Sequence, residues 1–350
     1  MPAKAKNMTR NSEIWRFIFR RLLGTLPLLI GVGVFTFILV RVLPGDPAAY
    51  YATGPLATNE EIAQVRTVLG LDRPIAEQLV RYFKDIASGD LGRSLVTGQL
   101  VSRDLVERFP ASFELTLVAM ILALLISIPL GIVAAIRAGS WIDHIVRFIG
   151  TLGVSMPAFV AGILLIFIFY FKLGIAPEPI DRIDPFMLKP PSVTGLMLFD
   201  SIIAGNFAAF SSAVGRLFLP ALTMAIIVIA PLMRMTRASM IAVLGSDFIR
   251  TARAAGMNWW TVYVRYGLRN ALLPVLTTIG LVISYQLGAN VVVEKVFAWP
   301  GVGSYALNSL LATDYAPVQG YVLLMACVYV IINTSIDILY ALVDPRVRVQ

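Results

Sequence analysis

Six stretches of about twenty mostly apolar residues punctuate this chain, and each has the length a helix needs to cross a bilayer. They cover roughly 22–42, 114–136, 146–171, 217–240, 271–293 and 319–342. Backbone polar groups in lipid must be satisfied within the protein, so segments of this kind become helices. Composition agrees. Apolar residues fill 58% of 350 positions, against about 45–50% in an ordinary soluble domain, and charged residues fall to 14%. The predicted fold class is an all-α polytopic membrane protein with about six transmembrane helices. Pro27, Pro129, Pro157 and Pro231 fall inside spans and are expected to kink them.

The basic residues set the orientation. Lys4, Lys6, Arg10, Arg16, Arg20 and Arg21 precede the first stretch. That stretch spans Leu22 to Val40 with no small-residue cleavage site after it, so it reads as an uncleaved first span rather than a signal peptide. With the N-terminus inside, alternate connections collect Arg137, Arg147, Arg234, Arg237, Arg250, Arg253, Arg265, Arg269, Arg346 and Arg348. The acids there are Glu13, Asp143, Asp247 and Asp344. Both termini are therefore expected in the cytoplasm. The net charge of +8 is a topology signal, and nucleic-acid binding is not implied.

The resulting organisation is a basic cytoplasmic segment over 1–21, a first transmembrane helix over 22–42 and an extracytoplasmic helical cap over 43–113. A core with the other five spans follows over 114–342, and a cytoplasmic tail over 343–350 closes the chain. Within the cap, Thr58 and Glu61 form a capping box, and Ile62, Val65 and Leu69 follow at helical spacing before Gly70. A second cap helix is predicted from Pro74 to Gly89, with Ile75, Leu79, Tyr82 and Ile86 on one face. A third is expected over 101–109, ending at Pro110. The connection 172–216 carries Pro177, Pro179, Pro185, Pro190 and Pro191 and is expected to be irregular. Small residues recur every fourth position at Ser127, Gly131 and Ala135 and at Gly280, Ser284 and Gly288, which predicts helix–helix packing faces.

Several chemistries lack their residues. No G-x-x-x-x-G-K-[ST] phosphate loop, G-x-S-x-G elbow or H-E-x-x-H motif occurs. One histidine, His144, and one cysteine, Cys327, leave no disulfide and too few ligands for a His/Cys metal site. No catalytic residue, cofactor site or metal site is assigned, and the chain is not expected to be an enzyme. Ionisable residues are scarce in mid-span. Asp337 is the main candidate, with Arg41, Glu114 and Glu294 near predicted interfaces. An ion-coupled secondary transporter, acting alone with Asp337 essential, is the alternative reading.

The connection between the fourth and fifth spans reads Gly245-Ser246-Asp247-Phe248-Ile249-Arg250-Thr251-Ala252-Arg253-Ala254-Ala255-Gly256. Ser246 or Asp247 can cap a short helix and Gly256 can end it. Thr251, Ala252, Ala254 and Ala255 leave a surface of little bulk that a groove in another protein can grip, and Arg250 and Arg253 are placed to pair with acids on its rim. An ordinary basic loop lying on anionic lipid is the competing reading. Trp259, Trp260 and Tyr263 follow as interface anchors.

With this loop, and over almost its whole length, the chain resembles the permease subunits of binding-protein-dependent ABC importers, in the peptide/nickel group that includes dipeptide and oligopeptide permeases. The run Arg250 to Gly256, continued by Arg265, Leu268, Arg269, Asn270, Ala271, Leu272, Leu273 and Pro274, is similar to that group's EAA loop. Arg250 and Thr251 replace the glutamate and first alanine of the general pattern, and the Leu273-Pro274 pair lies several residues later. Leu43-Pro44-Gly45-Asp46-Pro47, Gly89-Asp90-Leu91-Gly92-Arg93-Ser94, Asp314-Tyr315 with Val318-Gln319-Gly320, and Asp344-Pro345-Arg346 also match. So do Glu294, Val296, Phe297, Trp299, Pro300, Gly301 and Gly303 as an E-x-V-F-x-W-P-G-x-G stretch.

The resemblance implies a non-catalytic subunit of the bacterial inner membrane, moving peptides or a similar small solute. It implies as partners a second homologous permease, two ATPase subunits or domains that hold ATP and Mg, and an extracytoplasmic solute-binding protein docking on 44–112 and 172–216. It also implies that Asp247, Arg250, Thr251, Ala252, Arg253, Ala254, Ala255 and Gly256 dock the ATPase. Dipeptide, oligopeptide, glutathione and nickel all remain open as cargo.

Overall fold

The computed structural model describes residues 23–42, 48, 52, 58–68 and 70–343, with the side chains at 68, 152, 154, 287, 337 and 339–343 excepted. The basic segment 1–21, Leu69, the Leu43–Pro47 motif, the Asp337 side chain and Asp344–Arg346 lie outside the described residues. Among those described, the regular structure is helical apart from one isolated bridge, Arg93 to Leu100. In chain order the helices are α1 (Leu23–Val42), α2 (Asn59–Val68), α3 (Ile75–Ala87), α4 (Val101–Ile136), α5 (Trp141–Ser155) and α6 (Ala158–Leu165). Then come α7 (Met197–Ile203), α8 (Phe207–Leu244), α9 (Asp247–Ala254), α10 (Arg269–Val296), α11 (Val302–Leu311) and α12 (Tyr315–Val343). π-helical turns extend α6 over Ile166–Lys172 and precede α10 over Trp260–Leu268.

Among the described residues five helices are long and apolar enough to cross a membrane: Leu23–Val42, Val101–Ile136, Phe207–Leu244, Trp260–Gln286 and Tyr315–Ile336. The chain is an all-α polytopic membrane protein. The third expected span, 146–171, is not one helix. Met156 is extended (φ −100°, ψ 125°), Pro157 follows, and α5 and α6 are separate. The proline ring disfavours the helical conformation for the residue before it, and here that breaks the segment rather than bending it. The opposite holds at Pro110. The expected separate helix 101–109 is the start of α4, which runs through Pro110 and Pro129. The carbonyl that Pro110 leaves unpaired belongs to Val106, on an exposed face where water can satisfy it. α4 and α8, with 36 and 38 residues, are each about 54–57 Å long, nearly twice the hydrocarbon thickness.

The chain divides into two compact units, one of the residues up to Arg108 with Tyr305–Ile338, the other of Phe109–Ser304 with the chain from Leu339. In the first, the Thr58–Glu61 capping box forms, with the Thr58 amide donating to Glu61 at 2.9 Å and the Glu61 amide to the Thr58 hydroxyl at 3.3 Å. α3 lies against α1, where Phe83 covers Gly33, Tyr82 meets the Thr36 hydroxyl at 3.1 Å, and Arg41 donates to Gln78 at 2.6 Å. Asp314 accepts from Ser94 Oγ and the Leu95 amide, both at 2.7 Å, and so pins the Gly89–Ser94 turn.

In the second unit, α4, α8 and α10 share a core of Met120, Ala123, Ala225, Val228, Leu232 and Val282. Gly131 lets α4 meet α8 closely, because a Cβ there would stand 2.9 Å from the Met233 carbonyl oxygen. Ser127 and Ala135 are buried beside it. A Cβ at Gly153 of α5 would stand 3.0 Å from the Ile226 carbonyl oxygen of α8. On α10, Gly280 is buried and Ser284 donates to its carbonyl at 3.0 Å, whereas Gly288 is exposed with nothing within 4 Å. Within this chain α10 packs through Thr278, Val282, Gln286, Asn290 and Glu294, a neighbouring stripe.

Candidate functional site

The Asp247–Gly256 segment forms α9, a helix of about two turns between α8 and the π-helical start of the next long helix. Ser246 precedes it in an extended conformation but makes no side-chain cap, donating instead to the Val243 carbonyl at 2.5 Å. At the other end Gly256 has φ +69°, which a glycine adopts without strain. The Met257 amide donates to Ala252 O at 3.2 Å and the Gly256 amide to Arg253 O at 3.0 Å, the two bonds of a Schellman close.

The helix has a seat and an open face. Ile249 and Ala252 are buried together with Val262, against Val243, Leu244, Tyr263 and Tyr266. Ala252, expected on the low-bulk surface, faces the seat because it lies three residues from Ile249 and shares its side. Asp247, Arg250, Thr251, Arg253, Ala254, Ala255 and Gly256 are exposed. Thr251 donates to the Asp247 carbonyl at 3.0 Å, so its hydroxyl is satisfied within the helix. Arg250 lies 3.4 Å from Asp247, both highly exposed, a pair worth under about 1 kcal/mol. The Arg253 guanidinium lies 5.4 Å from the Tyr263 ring centroid and Trp259 lies against the same ring. Of the two arginines expected on a rim, Arg253 is thus engaged with an aromatic ring of its own chain.

Behind α9 stands a pair whose two members the sequence shows only as separate charges. Asp143 on α5 accepts from Arg237 of α8 in two bonds, Nε at 2.6 Å and Nη2 at 2.7 Å. The Gly139 amide donates at 3.0 Å and Arg147 stands 3.8 Å away. The Arg237 hydrogen bonds, which outweigh the opposing effect of burial, hold the Asp143 carboxyl down to about 2. Ile132 and Ala135 of α4 pack with Met240, Leu244, Leu268 and Ala271 at this same end of the unit. The residues are 94 apart in sequence, so no local pattern reveals the pair.

Two further networks stabilise the other end. Glu294 is fully buried and accepts from Ser112 Oγ at 2.5 Å and the Ser304 amide at 2.8 Å, and Ser112 Oγ also accepts from the Val302 amide at 2.9 Å. Trp299 donates its indole N–H to the Ala111 carbonyl at 3.0 Å. The Glu294–Gly303 motif is therefore a lock joining α4, α10 and the start of α11. The connection expected to be irregular over 172–216 is so only over 173–196, because Met197–Ile203 and the chain from Phe207 are helical, and several buried polar contacts hold it. Arg182 pairs with buried Glu114 at 2.7 Å, Glu114 accepts from the Leu198 amide at 2.8 Å, and Asp200 accepts from the Thr194 and Gly195 amides. Among the described residues no group of three or more potential metal ligands gathers.

Comparison with known proteins gives the geometry its family. Residues 14–116 match the N-terminal profile of binding-protein-dependent transport system membrane components, and residues 127–349 match the inner membrane component itself. The chain is 40% identical over 333 residues to the probable D,D-dipeptide transport system permease protein DdpB of Escherichia coli K12, covering 95% of this chain and 97% of that one. It is 39% identical over 335 residues to the dipeptide transport system permease protein DppB of the same strain, covering 95% and 98%. It is 37% identical over 332 residues to the glutathione transport system permease protein GsiC of Salmonella paratyphi A, again covering 95% and 98%. This chain, with its membrane-length helices and its short seated helix between α8 and α10, belongs to the family of binding-protein-dependent transport system inner membrane components.

Proposed function

We propose that this permease passes peptides of dipeptide size across the inner membrane and that α9 is where an ATPase grips it. The substrate follows from the dipeptide permeases among its relatives, with a glutathione permease showing how near a related small thiol peptide lies. The observation that carries the docking role is α9 itself, a short helix anchored by Ile249 and Ala252 whose outer side offers Thr251, Ala254, Ala255 and Gly256 with almost no bulk. A groove can close around such a surface without displacing side chains.

In this reading the α9 end of the second unit is cytoplasmic, both termini lie on that side, and the chain itself carries no catalytic step. ATP and Mg reside on two ATPase subunits or domains. A second homologous permease completes the pathway, and an external solute-binding protein delivers the peptide to the connection 173–196 and the α2–α3 cap. Conversion of ATP binding to transport requires the nucleotide to favour one pathway state by differential affinity.

The test is Gly256→Trp in the assembled importer. A bulky residue at φ +69° strains the helix close and blocks the gripped face. Uptake of a radiolabelled dipeptide should be lost while the variant still inserts in the membrane. Normal uptake by correctly inserted variant protein would refute the docking role.

A further inference from the structure

The docking surface does not rest on α8 alone. The seat of α9 includes Val243 and Leu244, at the end of α8. About two turns back along α8, Arg237 holds Asp143 of α5 by two hydrogen bonds, with the carboxylate side chain 1% exposed. The fork geometry fixes angle as well as distance between the two helices. Beyond the pair, α5 follows α8 closely, since Gly150 faces Met233 and Ala230 and Gly153 faces the Ile226 carbonyl. Beyond the break at Met156 and Pro157 the neighbours change, and Gly162 of α6 faces Thr223, nearer the start of α8, together with Phe297 and Val296 at the α10 end. The broken third stretch thus has one half fastened to the α9-side part of α8 and the other fastened farther from α9, where α8 meets the α10 terminus.

We propose that Asp143 and Arg237 form a positioning clamp that makes α5 and the docking helix move as one body, so that a displacement imposed on α9 bends the third stretch at Met156–Pro157. The proposal rests on the docking reading of α9. Neither residue touches the transported solute or nucleotide in this account. Their work is to keep α5 from staying behind when α8 moves. Hinges are a few element-terminal residues that absorb the backbone change, as Met156 and Pro157 are placed to do, and a clamp on one side decides which segment moves.

The experiment uses the assembled importer in proteoliposomes, with ATP hydrolysis and uptake of a radiolabelled dipeptide measured on the same preparation. Asp143→Asn and Arg237→Gln are each expected to assemble with the ATPase and to hydrolyse ATP. Uptake per ATP should fall by about tenfold, the upper range of single-residue effects on coupling between sites. The charge-exchanged double variant, Asp143→Arg with Arg237→Asp, should recover part of that ratio. A ratio that stays at the wild-type value, with uptake and hydrolysis falling only in step with the amount of complex, makes the pair merely structural and overturns the proposal.

Because a single variant can fail to assemble, a second measurement keeps the native pair. Spin labels at Ile145→Cys with Met257→Cys, and at Ile145→Cys with Phe159→Cys, are placed in a Cys327→Ser background. The 145–257 distance should stay fixed between nucleotide-free and ATP-bound complexes while the 145–159 distance changes. A 145–257 distance that changes with nucleotide overturns the clamp. If the wild-type chain captures no ATPase, it is the docking reading that has failed, an outcome distinct from either result above.

Discussion

The docking helix and the Glu294–Trp299 lock belong to the same compact unit and treat their polar groups in opposite ways. At the lock, a carboxylate, two serine hydroxyls, an indole and two backbone amides are buried and satisfied by one another. At α9, the charged groups face outward, and the one ion pair within the helix is too exposed to matter. Both are short motifs with family-like sequence. The lock turns its polar side chains inward on its own chain, whereas α9 seats Ile249 and Ala252 and leaves most of its other side chains exposed. A motif whose side chains are all mutually engaged holds the fold, and one that leaves a smooth, exposed, glycine-terminated surface is built to be met from outside.

The largest expected effect lies on the lock side. Trp299→Ala removes a fully buried ring and its bond to Ala111 and should cost about 3–5 kcal/mol, read as a lowered thermal unfolding midpoint in detergent. A change at Ala255 of α9 should leave that midpoint in place. Next comes Glu294→Gln. A carboxamide offers one acceptor oxygen where the carboxylate offers two, so a buried serine or amide donor is left unpaired, at about 1–3 kcal/mol. A Glu294→Gln protein as stable as the parent would dissolve the distinction between the two regions.

The Asp143 pair gives a smaller, pH-dependent effect. Its carboxyl is depressed from 3.8 to about 2 in the folded chain, so its stabilisation is complete above the unfolded value and is lost as pH falls through about 4 toward 2. Acid unfolding of the parent should show this sensitivity over that window, and the Arg237→Gln chain should show less of it. Smallest of all, Arg250→Ala should change stability by no more than about 0.5 kcal/mol, as surface substitutions do, while weakening capture of the ATPase.

Much of the fold was legible because it depends on local pattern. The apolar runs mark the long helices, and the Thr58–Glu61 box and Gly89 bound the cap helices. What escaped depends on neighbours. Pro110 and Pro157 carry the same local signal, yet one is absorbed into a 36-residue helix and the other breaks a span. The α9 segment was readable from Ser246 to Gly256, but the inward turn of Ala252 and the engagement of Arg253 by Tyr263 follow from the seat, which the sequence distributes over α8 and the following π turns. In the sequence Asp143 is only a charge on a basic side. Its partner lies on another helix.

The central claim is that α9 is the surface an ATPase holds, and a photo-crosslinking amino acid placed at Ala255 of the assembled importer tests it most directly. Ala255 is exposed and lies beside Gly256 at the end of the helix. The account predicts a covalent product with the ATPase subunit, diminished when Gly256→Trp is added. A crosslink to lipid alone, with the ATPase present and active in the same complex, would contradict it.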